Sequence, residues 1–221
     1  MIFPNWAKNI LLLLVYMLSG LVLVVIIEGL ISGTELIPLN TAIERVVVLM
    51  RTPFLTTFFV VVTKVGNPFI LSSFAALVSA ILLIRRKNYD AILFVLAMLV
   101  AVISLAVLKE TFQIARPGSD LLETSGWSFP SGHATVATAF FFMLTLTFFR
   151  RVKGIAGKTL LVAGSVVGAA LIAFSRLYLG AHWALDIIAG IALGLCSVSF
   201  IILIFNVLIG ERWSLRDRID L

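Results

Sequence analysis

The sequence Phe129-Pro130-Ser131-Gly132-His133 stands where a polar loop passes into a long apolar run. Its histidine is one of only two in the 221 residues. The second, His182, lies at another boundary, between the end of one apolar run and the start of the next. We predict that the chain brings the two imidazoles together at one face of a helical bundle embedded in a membrane.

The composition indicates a membrane protein. Hydrophobic residues make up 61% of the chain and charged residues 13%, whereas soluble domains average roughly 45–50% and 25%. The net charge of +6 is explained by basic loops on the cytoplasmic side of a membrane protein, so we predict no nucleic-acid partner. The single cysteine, Cys196, excludes a disulfide within the chain.

Six apolar runs are long enough, or nearly so, to cross a bilayer as helices. The first is expected to be a retained span, because no clear signal-peptide cleavage site follows it. The fold predicted is therefore an all-α, polytopic bundle of six transmembrane helices, a single domain over residues 1–221. The runs cover approximately residues 10–31, 69–84, 91–108, 133–149, 159–174 and 183–209.

The stretch between the first two spans, residues 34–67, has a different pattern. Apolar residues recur at helical spacing over residues 36–50 with charged residues between them, which predicts a helix lying in the membrane interface. The apolar run 54–62 is too short to span alone, and it could be interfacial, be re-entrant or extend the second span. Glu28, near the end of the first span, is expected at the interface or against the bundle.

Basic residues set the predicted orientation. With six spans both termini lie on one side, and that side carries most of the 17 Lys and Arg residues. Because cytoplasmic loops are enriched in Lys and Arg, both termini are predicted to be cytoplasmic. The loops 110–129 and 175–182 then share the outer face, together with both histidines.

Three cations on that face, Lys109, Arg116 and Arg176, are candidates for binding phosphate. Each alone is typical of a side chain that anchors the end of a span. Gathered at a low-dielectric boundary, however, like charges repel unless an anion lies between them, and Arg and Lys both bind phosphate. Ser131 and Gly132 begin a helix, whose free N–H groups and positive dipole end also favour an anion.

The two histidines are predicted to have different roles. His182 and Asp186 are four residues apart, so on a helix they share a face. A carboxylate on one imidazole nitrogen fixes the tautomer and leaves the other nitrogen free to attack. His133 is then available as the general acid for the departing alcohol oxygen. Two histidines and a carboxylate could also form a partial metal site, but the three cations oppose a divalent ion, so we predict no metal and no other cofactor.

These residues form three blocks: Lys109-x6-Arg116-Pro117, Pro130-Ser131-Gly132-His133 and Ser175-Arg176-x5-His182-x3-Asp186. In order and spacing, the blocks resemble the signature of the type-2 phosphatidic acid phosphatase superfamily, which also includes vanadium haloperoxidases. The six-span layout resembles its lipid phosphatase branch, of the bacterial phosphatidylglycerophosphate phosphatase B type. The resemblance implies a phosphohistidine on His182, Asp186 as its partner and His133 as the acid. It also implies a phosphate site formed by Lys109, Arg116, Ser131, Gly132, Ser175 and Arg176.

The function predicted is metal-independent hydrolysis of the terminal phosphate of a lipid at the outer face of a bacterial plasma membrane. Candidate substrates are phosphatidylglycerophosphate, undecaprenyl diphosphate, phosphatidate and diacylglycerol diphosphate. One alternative is a phosphotransferase that passes the phosphate to a second lipid. Another is a membrane transporter, which is disfavoured because the charges lie at one face and not at the midplane. The partners expected are the lipid substrate and the bilayer, with no obligate protein partner.

Overall fold

The computed structural model describes residues 5–33, 36–118, 121 and 125–219, which form helices joined by turns and loops and contain no strand. Each of the six apolar runs falls on one of the helices α1 and α4 to α8, so the prediction of an all-α protein is confirmed. The helices in these ranges are α1 (Asn5–Ser32), α2 (Leu36–Leu49), α3 (Pro53–Val65), α4 (Pro68–Ile84), α5 (Asn88–Phe112), α6 (Gly132–Phe148), α7 (Ile155–Tyr178) and α8 (Ala184–Ile219).

Four stretches of the described helices are long and apolar enough to cross a membrane: Ala7–Ser32, Asn88–Phe112, Ile155–Tyr178 and Ala184–Val207. The helices α4 and α6 have 17 residues each, or about 26 Å at 1.5 Å per residue. The helices α2 and α3 pass the same test together, but the chain bends by 119° between them. The chain is therefore a membrane protein with four or five candidate spans by length and composition, and the count of six stays a prediction.

Local sequence chemistry determines where the helices begin. Thr52 caps α3, because its side chain accepts a hydrogen bond from the N–H of Leu55 at 3.3 Å and proline follows as the first helical residue. Ser131 caps α6 in the same way through the N–H of Ala134, at 3.5 Å. The second sequence block therefore lies at a helix N-terminus, as predicted.

The helices α2 and α3 are held against the end of α7. At the corner between them, Arg51 Nε donates to the carbonyl of Tyr178 and the N–H of Thr52 donates to the Tyr178 hydroxyl, each at 3.0 Å. The run 54–62 lies within α3, a helix separate from α4. An interfacial position for α2 stays a prediction, and Glu28 is exposed one turn before the end of α1.

The helix α6 lies at the centre of the bundle and contacts α4, α5, α7 and α8. Glycines allow α8 to lie directly against it. A Cβ atom on Gly190 would lie 2.7 Å from the carbonyl oxygen of Ser131, and one on Gly194 would lie 2.7 Å from that of Thr135. This close packing brings the first turn of α8 to the start of α6.

Candidate active site

The three sequence blocks meet at one end of the bundle. The end of α5 carries Lys109, the start of α6 carries His133, and the last turn of α7 carries Arg176. The segment before α8 carries His182. Direct contacts join these elements: Arg116 Nη1 lies 3.1 Å from His182 Nε2, and the N–H of Ser131 donates to the carbonyl of Asp186 at 2.9 Å.

His182 and Asp186 form a buried pair. Their Nδ1 and Oδ2 atoms are 3.3 Å apart, and the two residues are 3% and 2% exposed. The pairing does not come from a shared helix face, because α8 begins only at Ala184. Instead, Asp186 Oδ2 turns back to the start of the helix, where it also accepts the N–H of Trp183 at 2.9 Å. With Nδ1–H donating to the carboxylate, the lone pair is on Nε2.

Ser128 is a member of this cluster that sequence reasoning missed. Its hydroxyl donates a short hydrogen bond to Asp186 Oδ2 and lies 3.3 Å from His182 Nδ1. Its carbonyl accepts from Lys109 Nζ at 3.3 Å, and the residue is fully buried. A serine in a loop belongs to no periodic pattern, so the only sequence feature that could have indicated its role is its position two residues before Pro130.

Arg116 is held rigidly with one edge towards His182. Each of its three guanidinium nitrogens donates to a backbone carbonyl, which fixes the plane of the group. Burial lowers the pKa of Arg116 and the charge of Asp186 raises it, and an arginine keeps its charge in a protein. The acceptors of Nη1, Nε and Nη2 are the carbonyls of Ala181, Gly126 and Ser125, at 2.8, 2.9 and 3.1 Å.

Arg176 is a buried cation, 6% exposed. Its Nη1 donates to the hydroxyl of Thr63 at 2.9 Å. Within the described part of the chain, its Nε has no hydrogen-bond partner and no carboxylate lies within salt-bridge distance. A buried charge without a counterion is costly, so this guanidinium is the clearest indication of a site built for an anion. Thr63 lies in the stretch 34–67 between the first two predicted spans, and sequence reasoning missed it.

The second histidine belongs to the same electrostatic cluster. His133 is half-buried in the first turn of α6, close enough to Arg116, Arg176 and His182 to interact with them electrostatically. Its ring also lies close to the backbone of Thr63. The two imidazoles therefore share one side of the molecule, with the cations around them.

The remaining predicted residues differ in how they face this cluster. Lys109 Nζ donates to the carbonyl of Trp127 at 2.7 Å as well as to that of Ser128, so it holds the loop that precedes α6. Gly132 begins α6 and presents its backbone there. Ser175 is fully buried, and its hydroxyl donates to the carbonyl of Ile172 in its own helix at 2.6 Å. For Ser175 to donate to a phosphate, this bond would have to break.

The environment of His182 keeps its imidazole neutral. Its pKa is lowered from 6.5 to about 4, mainly by burial. The hydrogen bond and charge of Asp186 raise the pKa, and the charges of Arg116 and Arg176 lower it. At neutral pH the ring is therefore unprotonated at Nε2, which is the state that a nucleophile requires.

The chain belongs to the PAP2 superfamily, whose family model matches residues 90–209, a range that contains all three sequence blocks. Phosphatidylglycerophosphatase B of Bacillus subtilis is 31% identical over 163 residues, which cover 71% of this chain and 78% of the relative. An undecaprenyl-diphosphatase of Sulfolobus acidocaldarius is 30% identical over 172 residues, covering 75% and 78% of the two chains.

Two solved structures have the same fold. The crystal structure of a transmembrane PAP2 type phosphatidylglycerolphosphate phosphatase from Bacillus subtilis matches with a TM-score of 0.70 at 26% identity, covering 86% of this chain and 93% of that one. Aquifex aeolicus LpxE matches with a TM-score of 0.61 at 24% identity, over 74% and 94%, which shows the fold alone. The family and the class predicted from the sequence, a lipid phosphatase, are confirmed.

Proposed function

We propose that this protein removes the terminal phosphate of a membrane lipid through a phosphohistidine on His182. The observation that carries the proposal is the buried His182–Asp186 pair, whose Nε2 atom faces a cluster of cations and contacts Arg116 Nη1 at 3.1 Å. Asp186 fixes the tautomer and stabilises the positive charge that develops on the ring during attack. The cations offset the charge of the phosphate oxygens, which is the main requirement of phosphoryl transfer.

The reaction proceeds in two displacements. First, His182 Nε2 attacks phosphorus, the bond from phosphorus to the lipid oxygen breaks, and His133, held as the imidazolium by the bound phosphate anion, donates a proton to that oxygen. Then a water molecule loses a proton to His133 and attacks the phosphohistidine, which releases inorganic phosphate and restores His182. No metal takes part in either step, and no group of three or more metal-ligating side chains occurs among the described residues.

Substrate binding uncovers the nucleophile. Arg116 Nη1 lies 3.1 Å from His182 Nε2 and so occupies the lone pair that must attack. Phosphate oxygens are stronger acceptors for a guanidinium than an imidazole nitrogen is. An incoming phosphate therefore draws Arg116 into a contact with its own oxygens and frees Nε2 at the moment when the substrate is in place.

The site is at the outer face of a bacterial plasma membrane, in one domain of six spans formed by α1 and α4 to α8, with both termini cytoplasmic. The short helices α4 and α6 suit a locally thinned bilayer. Support for the orientation comes from the basic loops 85–87 and 149–154, at the helix ends opposite the site. Such loops are typically cytoplasmic. No obligate protein partner is required for this chemistry.

The substrates proposed are phosphatidylglycerophosphate and undecaprenyl diphosphate, because the relatives that are 31% and 30% identical are named for them. Phosphatidate and diacylglycerol diphosphate offer the same terminal phosphate and are included in the test. The lipid tail stays among the helices while the phosphate enters the cationic site. An acceptor lipid could replace water in the second displacement, which would make the protein a phosphotransferase.

The test is release of inorganic phosphate by the purified protein from each of the four lipids, with and without a chelator. We expect hydrolysis of at least one lipid, unchanged by the chelator, and none with the His182→Ala variant, which should still bind lipid. A rate that Mg²⁺ restores would contradict the metal-free mechanism. A phosphorylated acceptor lipid in place of free phosphate would identify a phosphotransferase, and transport that survives His182→Ala without any hydrolysis would identify a transporter.

A further inference from the structure

One side chain outside the three sequence blocks, Thr63, reaches the site from α3. It is 4% exposed, and its hydroxyl oxygen accepts the hydrogen bond from Arg176 Nη1 at 2.9 Å. The two residues are 113 positions apart in the sequence, so their contact depends on the way α3 folds back against α7. The Thr63 hydroxyl occupies one edge of the buried Arg176 guanidinium, whose Nε has no hydrogen-bond partner among the described residues.

The backbone of the same residue contacts the second histidine. The carbonyl of Thr63 lies in the last turn of α3, where carbonyls lose their helical partners. Its usual partner, the N–H of Asn67, donates instead to the carbonyl of Lys64 at 3.2 Å. The Thr63 carbonyl is thus available to accept a hydrogen bond from the His133 ring, which lies close to it.

Apolar packing fixes α3 without help from the Thr63 hydroxyl. The ring of Phe59 lies 4.6 Å from that of Tyr178 and 5.4 Å from that of Phe174, centroid to centroid. At the end of α3, a Cβ atom on Gly66 would lie 2.6 Å from the side chain of Ile172. Only glycine permits so close an approach to α7, and the position of α3 should therefore survive loss of the hydroxyl.

We infer that Thr63 is a positioning residue that aligns Arg176 and His133 for phosphoryl transfer. Its hydroxyl holds one edge of the guanidinium so that the other donors face the phosphate. Its carbonyl orients the imidazole that protonates the leaving oxygen. The inference rests on the proposed function, and it makes α3 part of the active site.

The test compares Thr63→Val, which keeps the shape and the carbonyl but removes the acceptor, with Thr63→Ser, which keeps the hydroxyl. A hydrogen bond to a charged group contributes about 1.5–3 kcal/mol, so Thr63→Val should lower kcat/KM by about 10- to 100-fold. It should weaken inhibition by inorganic phosphate by a similar factor, and Thr63→Ser should restore both. Thr57→Val is the matched control, since that exposed hydroxyl on α3 bonds only to Pro53 of its own helix.

A double substitution separates positioning from a general structural effect. In an Arg176→Ala background, adding Thr63→Val should change phosphate affinity no further, because the partner is already gone. Full activity of Thr63→Val, an equal loss with Thr63→Ser, or additive losses in the double variant would each overturn the inference. Phosphate binding, measured by thermal unfolding in detergent, tests the inference even if no lipid is hydrolysed. A complete lack of hydrolysis would instead contradict the proposed function.

Discussion

At the scale of single residues, the protonation state of His182 governs how activity depends on pH. Burial places the pKa of this imidazole at about 4, below its ordinary 6.5. Because the neutral form attacks, kcat/KM should fall as the pH falls through about 4 and should be independent of this group above it. Asp186→Asn removes the charge that raises the pKa, so the acidic limb should move to lower pH while the maximal rate also falls.

The measurement is kcat/KM for a soluble short-chain lipid phosphate across the acidic range, with unfolding followed in parallel. An acidic limb near 6.5 with the protein still folded would contradict the assignment, since it would indicate a solvated imidazole. A shift of the limb to higher pH in Asp186→Asn would contradict the role given to the carboxylate.

Ser175 was implied only by the family resemblance. The other eight candidate site residues could be predicted because their types and spacings carry chemistry: two histidines, three cations, a carboxylate four residues from a histidine, and two residues at a helix start. Ser128 and Thr63 could not. Their hydroxyls are recruited by contacts made only after folding, Ser128 to Asp186 and Thr63 to Arg176. A serine or threonine is common in any membrane chain, so nothing in its own sequence marks it for such a role.

At the scale of helices, the contact between α6 and α8 joins the second and third blocks. A methyl group on Gly190 would meet the backbone oxygen of Ser131 at 2.7 Å and the Cβ of Ala134 at 2.9 Å. Backbone atoms cannot turn aside as a flexible side chain can, so Gly190→Ala should push α8 away from α6. A displacement of about 1 Å at a catalytic site can lower a rate by up to about 100-fold. We therefore expect a loss of 10- to 100-fold in phosphate release, by the same estimate.

Gly164→Ala is the control, because a Cβ atom there meets nothing within 4 Å. It should leave the rate unchanged and should not lower the unfolding temperature, because alanine favours a helix more than glycine does. If Gly190→Ala retained full activity, the first turn of α8 would not depend on its close approach to α6, and the glycine would have to be explained otherwise.

Hydropathy was sufficient to locate the helices that cross or nearly cross the membrane, because a continuous apolar run fixes both the type and the approximate ends of such a helix. It was not sufficient for residues 36–65. The bend there depends on Arg51 and Thr52 meeting Tyr178, more than 120 positions away. The capping turn that pairs His182 with Asp186 was likewise invisible, since spacing alone favours a continuous helix over that interval.

At the scale of the whole molecule, the orientation in the membrane decides which leaflet supplies the substrate. The basic loops at 85–87 and 149–154 lie opposite the site along the bundle, and cytoplasmic loops are the ones enriched in Lys and Arg. A membrane-impermeant, short-chain lipid phosphate added to sealed right-side-out vesicles should therefore be hydrolysed at once. Inverted vesicles should show little hydrolysis until detergent opens them.

The latency, measured as the ratio of rates with and without detergent, is the observable, and His182→Ala vesicles give the background. Immediate hydrolysis by inverted vesicles, with latency in right-side-out ones, would place the cationic site on the cytoplasmic side. The basic loops would then lie on the outer face, which contradicts the enrichment of Lys and Arg in cytoplasmic loops from which the orientation was derived.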